Sequence, residues 1–177
     1  MSKTKAVILG LLVCLVGLLS FGTANDNGKE EGVERGDVLK NKSSEVGAMS
    51  ESLQAAKGNY VLVNFWASYD AESHIANIQL ANVSKRWNDA GKGDSLSFIS
   101  VSLDRFESVS SQTIVRDGLS EGVYLTLTDG FDGSVARNLE LKEDEFVNFL
   151  LDPKGVIVGK NMKKDEIIAY LNSVTKS

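Results

Sequence analysis

The chain has 177 residues, 42% of them hydrophobic, which is enough for one ordinary core and makes a second domain unexpected. A net charge of −5 and a pI near 5.0 argue against a nucleic-acid partner, since phosphate binding needs a clustered basic surface. One histidine, one cysteine and one proline constrain the chemistry more sharply than the charge does.

At the N-terminus, Lys3 and Lys5 form a short basic region, and residues 6–21 are apolar apart from glycines, Cys14 and Ser20. Gly22-Thr23-Ala24 then puts small residues where a signal peptidase needs them. Residues 1–24 are therefore expected to be an export signal cleaved before Asn25, which makes the protein periplasmic or envelope-associated in a bacterium. The apolar run is shorter than the roughly 20 residues of a spanning helix, and an uncleaved anchor is the alternative. Leu11-Leu12-Val13-Cys14 faintly resembles a lipoprotein processing site. Cleavage there would leave the apolar Leu15-Val16-Gly17-Leu18-Leu19 where polar residues are expected, so Cys14 is read as part of the discarded signal. The processed chain then has neither a disulfide nor a thiol.

Residues 25–50 are polar, charged and without a sustained period, and read as a linker into a domain over 51–177. Residues 60–66, Tyr-Val-Leu-Val-Asn-Phe-Trp, are nearly continuously apolar and predict a central strand covered on both faces. A helix is predicted over 71–90, with Ile75, Ile78, Val83 and Trp87 near one side and Asn77, Lys85 and Arg86 left to solvent. Residues 96–103 predict another strand, and 108–116 a helix stopping near Gly118. Residues 123–127 are strand or extended loop, and 134–141 a short helix after two Asp-Gly turns. The runs 146–151 and 156–158 flank Asp152-Pro153-Lys154-Gly155, where proline second and glycine fourth predict a tight antiparallel hairpin. Residues 164–174 close as a helix bearing Ile167, Ile168 and Leu171. The order βαβα, short helix, ββα predicts an α/β fold with a mixed sheet and helices on both faces.

Two segments sharpen this. Residues 58–69, containing Asn64-Phe65-Trp66-Ala67, resemble the strand that leads into the active site of exported thioredoxin-like proteins, above all the TlpA-like and peroxiredoxin-related thiol–disulfide oxidoreductases. Residues 149–158 resemble that family's later hairpin, an apolar strand, Asp-x-x-Gly and a second apolar strand. The resemblance covers about residues 50–175 and implies a thioredoxin-like fold. In the family the tryptophan-containing strand runs into a Cys-x-x-Cys pair. Aligned on Asn64-Phe65-Trp66-Ala67, the two cysteine positions are Asp70 and Ser73, with Ala71-Glu72 between them. A proline further along the helix corresponds to Ile78, and the family's cis-proline falls at or next to Phe146. The redox motif is lost while its surroundings persist.

Thiol–disulfide exchange needs an attacking thiolate and a resolving thiol, and Asp70 and Ser73 supply neither. Asp70, Ser73 and His74 have the residue types of a hydrolytic triad, but helical neighbours such as Ser73 and His74 point about 100° apart. Asp70 and His74, at i and i+4, are spaced for a surface hydrogen bond. The favoured role for Asp70 is a helix N-cap, with Glu72 complementing the helix dipole. Asp70 and His74 offer two metal ligands where a site needs three or four, so neither metal nor cofactor is expected. Trp66 and Tyr69 are either an aromatic edge beside the altered site or core packing, the latter favoured for Trp66. The expected function is a redox-inactive binding or accessory module that holds a peptide or protein partner of the envelope around Trp66, Tyr69, Asp70, His74 and Phe146. The alternatives are a non-redox enzyme using Asp70, Glu72 or His74, and the family's oxidoreductase activity by resemblance alone.

Overall fold

A strand buried on both faces must be central, and Tyr60–Trp66 (β1) is buried at all seven positions. The computed structural model describes residues 35–37, 39, 47–91, 93–143 and 145–175. The chain divides into two units, Met1–Glu30 and Glu31–Ser177, and the described residues all belong to the second. The expected signal segment, its cleavage point and Cys14 lie outside them.

The elements follow in the order α1 (Gly47–Ala55), β1, α2 (Ala71–Asp89), β2 (Leu96–Ser102), α3 (Glu107–Arg116), β3 (Val123–Thr126), a 3-10 turn at Gly130–Asp132, α4 (Ser134–Asn138), β4 (Asn148–Leu151), β5 (Ile157–Lys160) and α5 (Lys164–Val174). The sheet order is β3-β2-β1-β4-β5. β1 runs parallel to β2, with Tyr60 opposite Leu96 and Trp66 opposite Ser102, and β2 runs parallel to β3. β1 is antiparallel to β4, and β4 to β5. Alternation along β1 feeds two cores. Val61, Val63 and Phe65 meet Ile99, Val101, Phe149 and Val135 on one face, while Tyr60 and Leu62 meet Leu80, Trp87, Phe98 and Ile167 on the other. The fold is the mixed α/β sheet with helices on both faces that the residue order predicted.

The hairpin forms through the expected turn. Asp152 Oδ1 accepts from the backbone N–H of Lys154 at 2.8 Å and of Val156 at 2.9 Å, and Gly155 takes φ +86°. Three expectations are corrected. The stretch read as a linker contributes to the fold. Leu39 and Met49 are fully buried, Gly36 N donates to Ile157 O at 2.8 Å, and Ile157 N donates to Asp37 O at 2.9 Å. Sparse apolar residues give no local period, yet a sheet face and the β5 edge still recruit them. The helix after β1 buries Val83 and Trp87 and exposes Lys85 and Arg86 as expected, but its first turns differ, with Ile75 54% exposed and Asn77 fully buried. The helix at Ser134 ends at Asn138 rather than 141, since Glu140 takes φ 51°.

Candidate functional site

The C-terminal end of β1 delivers the chain through residues 67–70 to the start of α2. Asp70 has extended backbone angles, and its carboxylate accepts the backbone N–H of Ser73 at 2.7 Å. This is an N-cap, a contact whose loss typically costs about 1 kcal/mol. Ser73 is buried, and its hydroxyl accepts from Ala67 N at 3.2 Å and donates to Asp70 O at 3.3 Å. Both positions that the resemblance assigns to cysteines are thus spent on closing the loop onto the helix.

The loop is held a second time from β2. Asp104, just past the end of that strand, is buried, and its carboxylate accepts from Ser68 N at 3.1 Å, Ser68 Oγ at 2.8 Å and Ser102 Oγ at 2.7 Å. A buried carboxylate is tolerable only with such donors, and here they fix the residue before Tyr69.

Beneath the start of α2 lies a buried polar chain. Trp66 Nε1 donates to Ser100 Oγ at 2.8 Å, and Ser100 Oγ donates to Asn77 Oδ1 at 2.9 Å. Asn64 Nδ2 donates to the same oxygen at 3.1 Å. Trp66 is therefore a core residue below the site and not part of an exposed aromatic edge.

His74 does not reach Asp70. Its Nε2 lies 2.5 Å from Asp117 Oδ2, at the C-cap of α3, and its ring stacks on Trp66 with centroids 5.6 Å apart at 24°. Asp70 has turned to its own helix start, and the carboxylate of Asp117, distant in sequence, takes the imidazole instead. Ser73 and His74 share no hydrogen bond, so no Asp–His–Ser arrangement forms here.

Tyr69 is 66% exposed, and its ring packs edge-on against Phe146 at 6.5 Å. Phe146 in turn meets Phe131 at 5.6 Å, which completes an aromatic row. Partial burial, then the carboxylates of Asp104, Glu143 and Asp70, push the Tyr69 phenol above its ordinary value, and Arg105 opposes them. Among the described residues, the backbone N–H and C=O of Phe146 have no hydrogen-bond partner. Phe146 lines a groove of about 720 Å³ between α2 and the β5–α5 connection, together with Asp70, Glu72, Glu145, Lys163 and Lys164. The structure thus brings Tyr69, Asp70 and Phe146 together and sends Trp66 and His74 elsewhere. At 100° per residue, His74 lies on the flank of α2 opposite the groove-lining Glu72, Ile75 and Gln79.

Sequence reasoning missed Asn64, Asn77, Ser100, Asp104 and Asp117, and also the charged groove residues Glu145, Lys163 and Lys164. One signal was available. A lone Asn64 in a strand covered on both faces requires a buried partner. Among the described residues, no group of three or more His, Cys, Asp or Glu side chains is placed to hold a metal, and no helix is long and apolar enough to cross a membrane.

No protein-family model matches the chain, and no curated protein does. Solved structures do. A thioredoxin-like protein from Parabacteroides distasonis is 32% identical, with a TM-score of 0.57 over 68% of this chain and 82% of that one. The chain belongs to the thioredoxin-like family. The C-terminal domain of a putative thiol–disulfide oxidoreductase from Bacteroides thetaiotaomicron is similar at 24% identity and TM-score 0.59, over 71% of this chain and 83% of its own. A putative thiol:disulfide interchange protein DsbE from Chlorobium tepidum is similar at 15% and 0.58, over 70% and 84%. These two show the shared fold. This thioredoxin-like chain has a single cysteine, Cys14, and no Cys-x-x-Cys pair.

Proposed function

We propose that this thioredoxin-like protein is an exported, redox-inactive module that holds an extended peptide segment of an envelope partner beside Tyr69, Asp70 and Phe146. The observation that carries the reading is the backbone of Phe146, unpaired among the described residues, next to the exposed Tyr69 in a row with the half-buried Phe146 and Phe131 rings. A free main-chain donor and acceptor at a groove pair naturally with an extended segment, and neighbouring side chains then select it. Disulfide exchange has no thiolate to start from, since residues 25–177 contain no cysteine. The basic, apolar and small-residue order of residues 1–24 supports export.

Affinity capture from envelope extracts tests the binding claim. The tagged protein should recover a partner that is lost on Tyr69→Ala and on Phe146→Ala. Capture insensitive to both changes would move the functional surface away from this groove. A disulfide-reduction assay with the purified protein should show no thiol-dependent turnover, and turnover above the reductant alone would overturn the redox-inactive reading.

A further inference from the structure

The groove is polarised in charge along its length. Phe146 meets the ring of Tyr69, the residue before Asp70. This sets the start of α2, with Asp70 and Glu72, and also Glu145 at one end of the groove lining. Of these, Asp70 commits one carboxylate oxygen to its cap, Glu72 has no partner among the described residues, and Glu145 holds only a long surface pair with Lys142 at 3.6 Å. At the other end stand Lys163 and Lys164, neither of which is in a salt bridge among the described residues, with Asp165 beside them. A second furrow of about 380 Å³ between α2 and α5 shares Gln79, Lys164 and Asp165 with the first and runs past Arg86 to Ala90. From Asp70 to Arg86 the helix rises about 24 Å, room for about seven residues of extended chain.

We infer that the occupant is a peptide segment of mixed charge, with a lysine or arginine seated at the Tyr69–Phe146 end and acidic residues lying toward Lys163, Lys164 and Arg86. The inference rests on the peptide-groove reading and deepens it. A cation at the first end gains the carboxylates of Asp70, Glu72 and Glu145, with the exposed ring of Tyr69 beside them against Phe146. An acidic side chain there meets like charge, whereas farther along it meets two lysines that form no salt bridge among the described residues. Complementarity of this kind sets register and rejects wrong partners more than it adds raw affinity.

The test uses the purified full chain and fluorescence polarisation with short labelled peptides of equal length and matched apolar content. One carries lysines at one end and glutamates at the other, one carries glutamates at both ends, and one is uncharged. At low salt the mixed-charge peptide should bind about tenfold tighter than the uncharged one, the doubly acidic peptide should bind weakest, and the preference should shrink as salt is raised. The double variant Glu72→Lys with Glu145→Lys should reverse the order in favour of the doubly acidic peptide, and both side chains sit at the surface, where such a change leaves folding intact by circular dichroism. Equal binding of all three peptides, lost on Tyr69→Ala, overturns the charge inference and leaves the groove reading standing. Binding of none of them, by a folded protein, overturns both.

Discussion

His74 and Asp117 close a gap between the start of one helix and the end of another, with Nε2 and Oδ2 2.5 Å apart and the imidazole lying flat on Trp66. The pair is mostly shielded, with side chains 19% and 11% exposed. It joins α2 to the C-cap of α3 and covers the indole that anchors the buried polar chain. His74→Ala should therefore lower stability by about 1–2 kcal/mol in denaturant unfolding, from one partly buried hydrogen bond and one ring stack. Peptide binding should persist, because His74 lies away from the groove. A variant of wild-type stability that no longer bound would contradict this placement.

Asn77 is the hub beneath the site, its amide oxygen accepting from both Asn64 and Ser100. Asn77→Ala should cost about 2–3 kcal/mol, because two buried donors lose their acceptor. Asn64→Ala should cost less, and the double variant should fall short of the sum by more than about 0.5 kcal/mol, since the second truncation removes a donor already orphaned. Additive losses in a double-mutant cycle would show that the two amides are not coupled.

Asp104 holds the Ser68–Tyr69–Asp70 loop by accepting from Ser68 and Ser102. Asp104→Ala should destabilise by roughly 3 kcal/mol, and Asp104→Asn by less, since an amide oxygen still accepts one or two of these bonds. Amide hydrogen exchange at residues 68–70 should quicken in the alanine variant before the rest of the sheet responds. Unchanged exchange there would mean that the loop is held by the Asp70 cap alone.

Alkaline pH provides a separate check. Burial lifts the phenols of Tyr60 and Tyr124 above the ordinary 10.0, helped by Tyr170 and then Asp94 and Asp152 at Tyr60 and by Glu121 at Tyr124, and partial burial and then Asp104 lift Tyr69. In the unfolded chain these phenols ionise at about 10.0, whereas the folded chain keeps its protons to higher pH. The folded state thus holds more protons in that window, so stability is unaffected by these groups below pH 10.0 and falls as pH rises through it. Denaturant midpoints across an alkaline series, read beside tyrosinate absorbance, check the sign. Absorbance that rises at the ordinary phenol value while the protein stays folded would overturn it.

Much of the architecture was legible from local order alone. The seven-residue run of β1 announced a central strand because burial on both faces leaves no room for alternation. The Asp152-Pro153-Lys154-Gly155 turn was readable because its chemistry is contained within four residues. Asp70 as an N-cap was readable for the same reason, its partner being three residues away. Val83 and Trp87 were placed inward correctly, but the first turns of α2 were misjudged because they carry Ser73 and Asn77 inward, and a polar residue on a buried face signals nothing until its partner is known.

The sequence by itself determined that the redox motif is gone, that a strand, helix and hairpin stand in thioredoxin-like order, and that Asp70 begins the helix. Those are statements about residue identity and short-range geometry. Tertiary structure decided which side chains meet: Asn64 with Asn77, Ser68 with Asp104 across 36 positions, and His74 with Asp117 across 43. It also decided that Asp70 and Phe146 line one groove, with Tyr69 packed on Phe146 beside it, while Trp66 and His74 do not line it. The physical reason is that a hydrogen bond or a groove depends on distance in space, and separations of that size along the chain carry no local trace of it.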